Sequence, residues 1–322
     1  MRSQLDGAGG LRHLVTLDGL GRDMLVAILD RAENYRRFPG QPAYEGRELA
    51  GVTVANLFFE PSTRTRASFD LAARRLGAHV LNMDMQSSSR VKGETVLDTL
   101  YTLEAMNTDI FVIRDSEAGM PDFLLDHVAP HVSVISAGEA HVSHPTQGLL
   151  DVLTIRSHKR RFAGLKVAIV GDIRHSRVAR STAQALATLG TTDVRLVAPP
   201  ALLPEDAEFP GAQRFTRIAD GIAGADVVMM LRIQKERMAT SASLDESEYF
   251  REYGLDAARL RLASPGALVM HPGPMNRGVE ISSEVADGPR SVIREQVNNG
   301  VAVRMAILAA IAATLTRHRR PL

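Results

Sequence analysis

The sequence predicts an α/β protein of two domains, each a parallel β-sheet flanked by helices, with a C-terminal helix that packs back on the first domain. Three observations carry this reading. From Gly51 onward, short β-rich runs alternate with helical segments, the pattern of parallel sheets covered on both faces. The chain has 322 residues, which at roughly 150 per domain suggests two domains. Near the C-terminus, Val301, Met305, Ile307, Leu308, Ile311 and Leu315 make one helix too apolar to stay in water.

The elements follow in order. The first dozen residues are Gly-rich and read as a frayed end. Leu20, Met24, Leu25, Ile28, Leu29 and Ala32 then recur at the spacing of an amphipathic helix. Val52–Phe59 is a buried strand, Ser62–Leu76 its helix, Val80–Met83 a short strand and Glu94–Met106 a helix. Ile110–Ile113 and Val132–Ile135 are further strands, and Gln147–Ile155 a helix. Beyond the basic segment Arg156–Arg161, which marks a domain boundary or a solvated helix end, the alternation resumes. Val167–Val170, Val194–Val197, Val227–Leu231 and Leu268–Met270 read as strands, with helices over Ser176–Leu189 and Val297–Leu315. Four prolines make Ala198–Gly211 a loop. The predicted domains are residues 1–150 with 295–322, and residues 151–294.

Composition excludes several chemistries. Without cysteine there are no disulfides, Cys-ligated zinc, iron–sulfur clusters or thiol nucleophiles. A net charge of +1 provides no general field for nucleic acid or an anionic membrane. No apolar run approaches the ~18 residues of a membrane span, and the N-terminus lacks a signal-peptide core, so a cytoplasmic protein is expected. Of the 38 basic residues only four are lysine, which leaves 34 arginines. A GC-rich genome accounts for most of that bias, so forked contacts to phosphate or carboxylate have to be argued position by position.

The strongest local signal is Phe58-Phe59-Glu60-Pro61-Ser62-Thr63-Arg64-Thr65-Arg66. A buried strand feeds a proline, hydroxyls and arginines where a helix begins, and free N–H groups with the positive end of the dipole favour an anion there. Ser62, Thr63 and Thr65 add donors, and Arg64 a bidentate fork for phosphate. His141 and His144 together suggest a metal site only weakly, because no carboxylate partners them; no metal is expected.

This string resembles the carbamoyl-phosphate signature of the aspartate/ornithine carbamoyltransferase family. His144-Pro145-Thr146-Gln147 resembles the family's second signature, and Arg114 sits where the family has another carbamoyl-phosphate ligand. The resemblance runs from about the first helix to the last. It implies that Ser62, Thr63, Arg64, Thr65, Arg114, His144 and Gln147 hold carbamoyl phosphate, with backbone contacts from Gly273 and Pro274 in the turn His271–Gly278. Transfer passes through a tetrahedral centre whose oxygen gains charge as phosphate leaves. Thr65, Arg114 and His144 are donors suited to that oxygen, and Arg64 to the leaving dianion.

Ser87–Thr95 (SSSRVKGET) is locally a polar loop opening a helix. It resembles the loop that a neighbouring subunit of the family inserts into the active site, which implies that Ser88 and Lys92 act in trans and that the chains form a homotrimer. Residue 91 is Val, where some aspartate enzymes carry a second basic residue. The run Gly171–Arg177 lacks the later glycines of a dinucleotide fingerprint. By resemblance it places Arg177 on a substrate α-carboxylate, although Val178 stands where the family often has Thr. Arg232 and Gln234, two apart at a strand end, can point to one side and resemble the aspartate-specific segment that takes a side-chain carboxylate. An ornithine enzyme needs acids there, and carries a His-Cys-Leu-Pro turn where this chain has His271-Pro272-Gly273-Pro274.

The resemblance therefore implies the aspartate branch: L-aspartate and carbamoyl phosphate as substrates, an aspartate set of Lys92, Arg177, Arg232 and Gln234, and no cofactor. It also implies the committed step of pyrimidine synthesis, an active site in the cleft and at a subunit interface, and regulatory or dihydroorotase-like chains as possible partners. Glu60 is expected to pair with Arg177 or Arg237 when the domains close.

Overall fold

A computed structural model describes residues 3–85, 95–234 and 245–318, and the chain divides into two compact units, Met1–Thr146 with Asn298–Leu322, and Gln147–Val297. Those divisions fall four and three residues from the predicted 150/151 and 294/295. The chain passes between units within two helices, α5 (Pro145–Lys159) and α11 (Ile293–His318). Arg156, His158 and Lys159 form the basic last turn of α5, where cations complement the helix dipole.

The first unit contains α1 (Arg22–Tyr35), β1 (Thr53–Phe58), α2 (Thr63–Arg75), β2 (His79–Asp84), α3 (Val96–Ala105), β3 (Ile110–Asp115), α4 (Met120–His127) and β4 (Ser133–Glu139). Its four strands are all parallel, in the order β2-β1-β3-β4. Every residue of β3 and β4 is buried, as expected of strands covered on both faces. Ala55, Leu57, Phe111, Ile113 and Val134 line one face and pack on Leu100, Leu103, Leu124 and Leu125. A capping box between Thr95 and Asp98 starts α3.

The C-terminal helix belongs to this unit from Asn298 onward. Thr314 Oγ1 donates to the carbonyl of Leu11 at 3.1 Å, Asn298 Nδ2 to that of Arg37 at 2.7 Å, and the Arg304 guanidinium lies 4.9 Å from the ring centre of Phe69 on α2. By length and composition Ile293–Leu315 could cross a membrane, yet most of it is buried inside the protein, which makes it a core helix.

The second unit contains β5 (Lys166–Val170), α6 (Arg177–Leu189), β6 (Asp193–Val197), β7 (Gln213–Phe215), α7 (Ile218–Ile222), β8 (Val227–Met230), α8 (Glu246–Tyr253), α9 (Ala257–Leu260), β9 (Leu268–Met270) and α10 (Ser283–Ala286). Its five strands are also all parallel, ordered β7-β6-β5-β8-β9. Ala168, Val170, Val228, Met230 and Val269 pack on Ile218, Ile222, Leu260, Val285 and Ile293. Ser176 caps α6 by accepting from Ala179 N–H, and Gly190 ends it in the left-handed region.

Several sequence expectations need correction. The Ala198–Gly211 loop contains 3₁₀ turns at Pro200–Leu202 and Asp206–Glu208. β4 extends four residues past Ile135 through small and polar residues that carry no apolar signal. The short elements α4, β7, α7, α8, α9 and α10 are additional to those the periodicity predicts.

Candidate active site

In open parallel sheets, ligands bind beyond the carboxyl ends of strands where the winding direction reverses. In the first unit that reversal lies between β1 and β3, and in the second between β5 and β8. The sequence-predicted residues fall at both places.

In the first unit, β1 ends at Phe58, whose register partner on β3 is Arg114. The β1 chain then turns against that partner, because Phe59 N–H donates to the Arg114 carbonyl at 2.8 Å. Ser62 is the N-cap residue of α2 but its hydroxyl makes no cap hydrogen bond, and the first turn of α2 carries no acid. A helix start so arranged offers N–H groups and positive potential to an anion. Thr63 and Arg64 are exposed there, while Thr65 is buried in the same turn.

Arg114 is 8% exposed and fixed in orientation: Nη1 donates to the Ala137 carbonyl at 3.1 Å, and Nη2 to Glu60 Oε1 at 2.7 Å. Glu60, expected to meet Arg177 or Arg237, is thus engaged by an arginine of its own unit. His144 is buried immediately ahead of α5. Ala140, past the end of β4, holds φ +41° and donates its N–H to the Asp115 carbonyl. A non-glycine residue there is uncommon and shows a tightly constrained loop leading to His144.

In the second unit, Gly171 follows β5 with φ +131°, and a Cβ there would come within 2.6 Å of the Leu231 carbonyl oxygen. Only glycine lets the ends of β5 and β8 approach this closely. Asp172 comes next, fully buried. Its Oδ1 accepts from the backbone N–H of His175 at 3.2 Å and meets His175 Nδ1 at 2.8 Å, and its Oδ2 accepts from Gln234 N–H at 3.3 Å. Gln234 Nε2 donates to the His175 carbonyl at 3.1 Å. One buried carboxylate therefore ties the loop after β5, with Arg177 at the start of α6, to the loop after β8, with Arg232. Arg177 is 6% exposed, and Arg232 and Gln234 are half-buried.

The third part of this unit's site is the turn after β9. Gly273 N–H donates to His271 Nδ1 at 2.8 Å, so that nitrogen is an acceptor and the ring is neutral with its proton on Nε2. That proton faces Glu280 Oε1 at 3.2 Å, and the same oxygen accepts from Asn276 N–H. Gly273 has φ +66°, and the bond to Pro274 is cis. Gln147, in the first turn of α5, donates from Nε2 to Asp151 Oδ1 at 2.9 Å.

Sequence reasoning missed Asp151, Asp172 and Glu280. Asp151 carried a readable signal, as a lone acid in the apolar run of α5 four residues after Gln147. Ser88 and Lys92 lie outside the described residues, as does Arg237. No group of three or more potential metal-ligating side chains occurs among the described residues.

The family model of the aspartate/ornithine carbamoyltransferase carbamoyl-phosphate-binding domain matches residues 12–157, and that of the aspartate/ornithine-binding domain residues 163–311. The chain belongs to the aspartate/ornithine carbamoyltransferase family. Aspartate transcarbamoylase from Trypanosoma cruzi, solved with carbamoyl aspartate and phosphate, is 31% identical with a TM-score of 0.84, over 93% of this chain and 95% of that one. The same enzyme with N-(phosphonacetyl)-L-aspartic acid gives the same figures. Ornithine carbamoyltransferase from Thermus thermophilus is 27% identical with a TM-score of 0.82, over 93% and 98% of the two chains. The protein is a carbamoyltransferase with that family's fold. Both branches are thus among its structural neighbours, and the choice of amine rests on the residues at the strand ends.

Proposed function

We propose that this carbamoyltransferase acts on L-aspartate, converting it with carbamoyl phosphate to N-carbamoyl-L-aspartate and phosphate. The reading carries with it the committed step of pyrimidine synthesis, a cytoplasmic location and a homotrimer with Ser88 and Lys92 supplied in trans. The observation that supports aspartate most is the end of β8. There Met230-Leu231-Arg232-Ile233-Gln234-Lys235-Glu236-Arg237 carries three cations and an amide against a single acid. A carboxylate side chain is welcome at such a place and an ammonium is repelled.

The chemistry follows from the groups present. The neutral amine of aspartate attacks the carbamoyl carbon, forming a C–N bond; the C–O bond to phosphate breaks, and the amine proton leaves with the phosphate. No redox change or covalent enzyme nucleophile is needed. In the proposed roles, the α2 start with Ser62, Thr63, Arg64 and Thr65 holds the phosphoryl oxygens. Arg114, His144 and Thr65 stabilise the oxygen that gains charge. Removing one such preorganised donor typically costs about 10²–10³ in kcat. Arg177 takes the α-carboxylate, Arg232 and Gln234 the side-chain carboxylate. Gln147 and the backbone of Gly273 and Pro274 receive the carbamoyl NH2.

The test is to supply carbamoyl phosphate with aspartate or with ornithine and to measure the carbamoylated product. Product from aspartate alone is expected, and product from ornithine alone overturns the reading. For the trans loop, mixing Lys92→Ala and Arg64→Ala chains should restore some active sites; absence of rescue argues against sharing.

A further inference from the structure

Asp151 is fully buried within α5, and three side chains converge on its carboxylate. Gln147 Nε2 and Gln296 Nε2 donate to Oδ1 at 2.9 and 2.6 Å, and Thr182 Oγ1 donates to Oδ2 at 2.7 Å. They come from α5, α11 and α6. A carboxylate accepts and does not donate, so each amide is obliged to turn its NH2 toward Asp151 and its carbonyl oxygen away. For Gln296 the released oxygen has a partner, since Oε1 accepts the His271 N–H at 3.0 Å. His271 in turn sets the Gly273–Pro274 turn through Nδ1. For Gln147 the released oxygen is an acceptor at the first turn of α5, beside His144 in sequence.

We infer that Asp151 is a positioning residue that selects carbamoyl over acyl phosphates by presenting hydrogen-bond acceptors to the NH2 of the transferred group. This rests on the proposed function, in which Gln147 and the 273–274 turn receive that NH2. The two receivers are otherwise independent, one a side chain on α5 and the other backbone after β9. Asp151 reaches the first directly and the second through Gln296, so one buried acid fixes the polarity of the Gln147 amide and the placement of the 273–274 turn. With an asparagine in its place, the amide can turn its NH2 toward Gln147 and Gln296, and Gln147 is then no longer obliged to offer its oxygen to the ligand. A group with NH2 and a group with CH3 differ at that point alone. A site built to hydrogen-bond a donor disfavours the analogue that lacks it, because its buried acceptors are left unpaired.

The experiment compares phosphonoacetamide and 2-oxopropylphosphonate, which differ only in NH2 against CH3, as inhibitors competing with carbamoyl phosphate on the full-length chain. The wild type should bind the amide about tenfold or more tightly than the ketone. In Asp151→Asn the ratio should fall toward one through loss of amide affinity, with the affinity for inorganic phosphate held within about twofold. An unchanged ratio, including a parallel loss for both compounds, would overturn the inference, because that is what a merely structural residue produces. If Asp151→Asn does not fold, Gln296→Met tests the same claim through the His271 branch. There a ratio reduced severalfold supports it and an unchanged ratio overturns it. A wild-type chain that forms no N-carbamoyl-L-aspartate sinks the proposed function first. A wild type that forms it while the ratio stays fixed sinks this inference alone.

Discussion

The two strand-end sites are built on opposite electrostatic plans. At the β1/β3 end, charge faces outward: α2 begins without a side-chain cap, Arg64 is exposed, and Arg114 is braced by Glu60 and a carbonyl. At the β5/β8 end, an acid is buried and the loops that carry the arginines are tied to it: Asp172 holds the two loops that carry Arg177 and Arg232. Under the proposed function, the difference reflects what each substrate demands. A phosphoryl group brings its own charge to a ready set of donors and needs little loop alignment beyond a helix start. A dicarboxylate must be gripped at two separated points, so the loops that supply them have to be pinned to one another first.

The comparison breaks most severely at Arg114. Replacing it by Met removes a preorganised donor and leaves the half-buried Glu60 beside an apolar chain. We expect kcat to fall about 10²–10³-fold, with a smaller change in the KM for the amine. Steady-state kinetics with carbamoyl phosphate and aspartate check this. If the loss appeared mainly in the amine KM, the division of labour between the two ends would be wrong.

Next in size is Asp172→Asn. It turns one acceptor oxygen into a donor facing an N–H group, a mismatch of about 1.5–3 kcal/mol for a bond to a charged partner. The expected outcome is an aspartate KM raised roughly 10- to 100-fold with phosphate affinity nearly unchanged. A variant in which both affinities fell equally would show that the first site also depends on the Asp172 brace.

The sequence made the outward-facing site far more legible than the pinned one. Ser62 to Arg66 announce themselves because the residue types that bind an anion sit consecutively after a strand. Arg114 is visible as a lone cation ending an apolar run. The pinning acids are not visible in this way. Asp172 reaches Gln234 across 62 positions, and Asp151 reaches Thr182 across 31 and Gln296 across 145. Burial of a carboxylate is a property of the packed fold: nothing local distinguishes Asp172 from a solvated acid, and Asp151 shows only as a lone acid in an apolar run, with none of its partners on α6 and α11. The same physics governs the elements. β1, β3, β5 and β8 were readable because central parallel strands are apolar on both faces. α4, α7, α9 and α10, with eight residues or fewer, span too few turns to display a period.

The mildest test contrasts one buried tyrosine from each unit. Tyr35 on α1 is pushed up to about 12, by burial first and then by Glu48, which accepts from its hydroxyl at 3.2 Å. Tyr249 on α8 is also pushed up, by burial first and then by Glu280 and Asp172, but its hydroxyl has no hydrogen-bond partner among the described residues. An unfolded phenol titrates near 10. A folded-state value above that contributes stability in full below pH 10 and loses it as pH rises through the folded value. Wild-type denaturation midpoints should therefore fall between pH 10 and 11, and Tyr35→Phe and Tyr249→Phe should each flatten that slope, since phenylalanine cannot ionise. At pH 8 the two variants should diverge. Tyr35→Phe gives up a hydrogen bond to a charged partner and loses stability. Tyr249→Phe removes a buried hydroxyl that pairs with none of the described residues and should cost little, or even stabilise by a few tenths of a kcal/mol. Equal losses at pH 8 would mean that the Tyr249 hydroxyl is as well satisfied as that of Tyr35, and the contrast between the two units would not extend to their buried phenols.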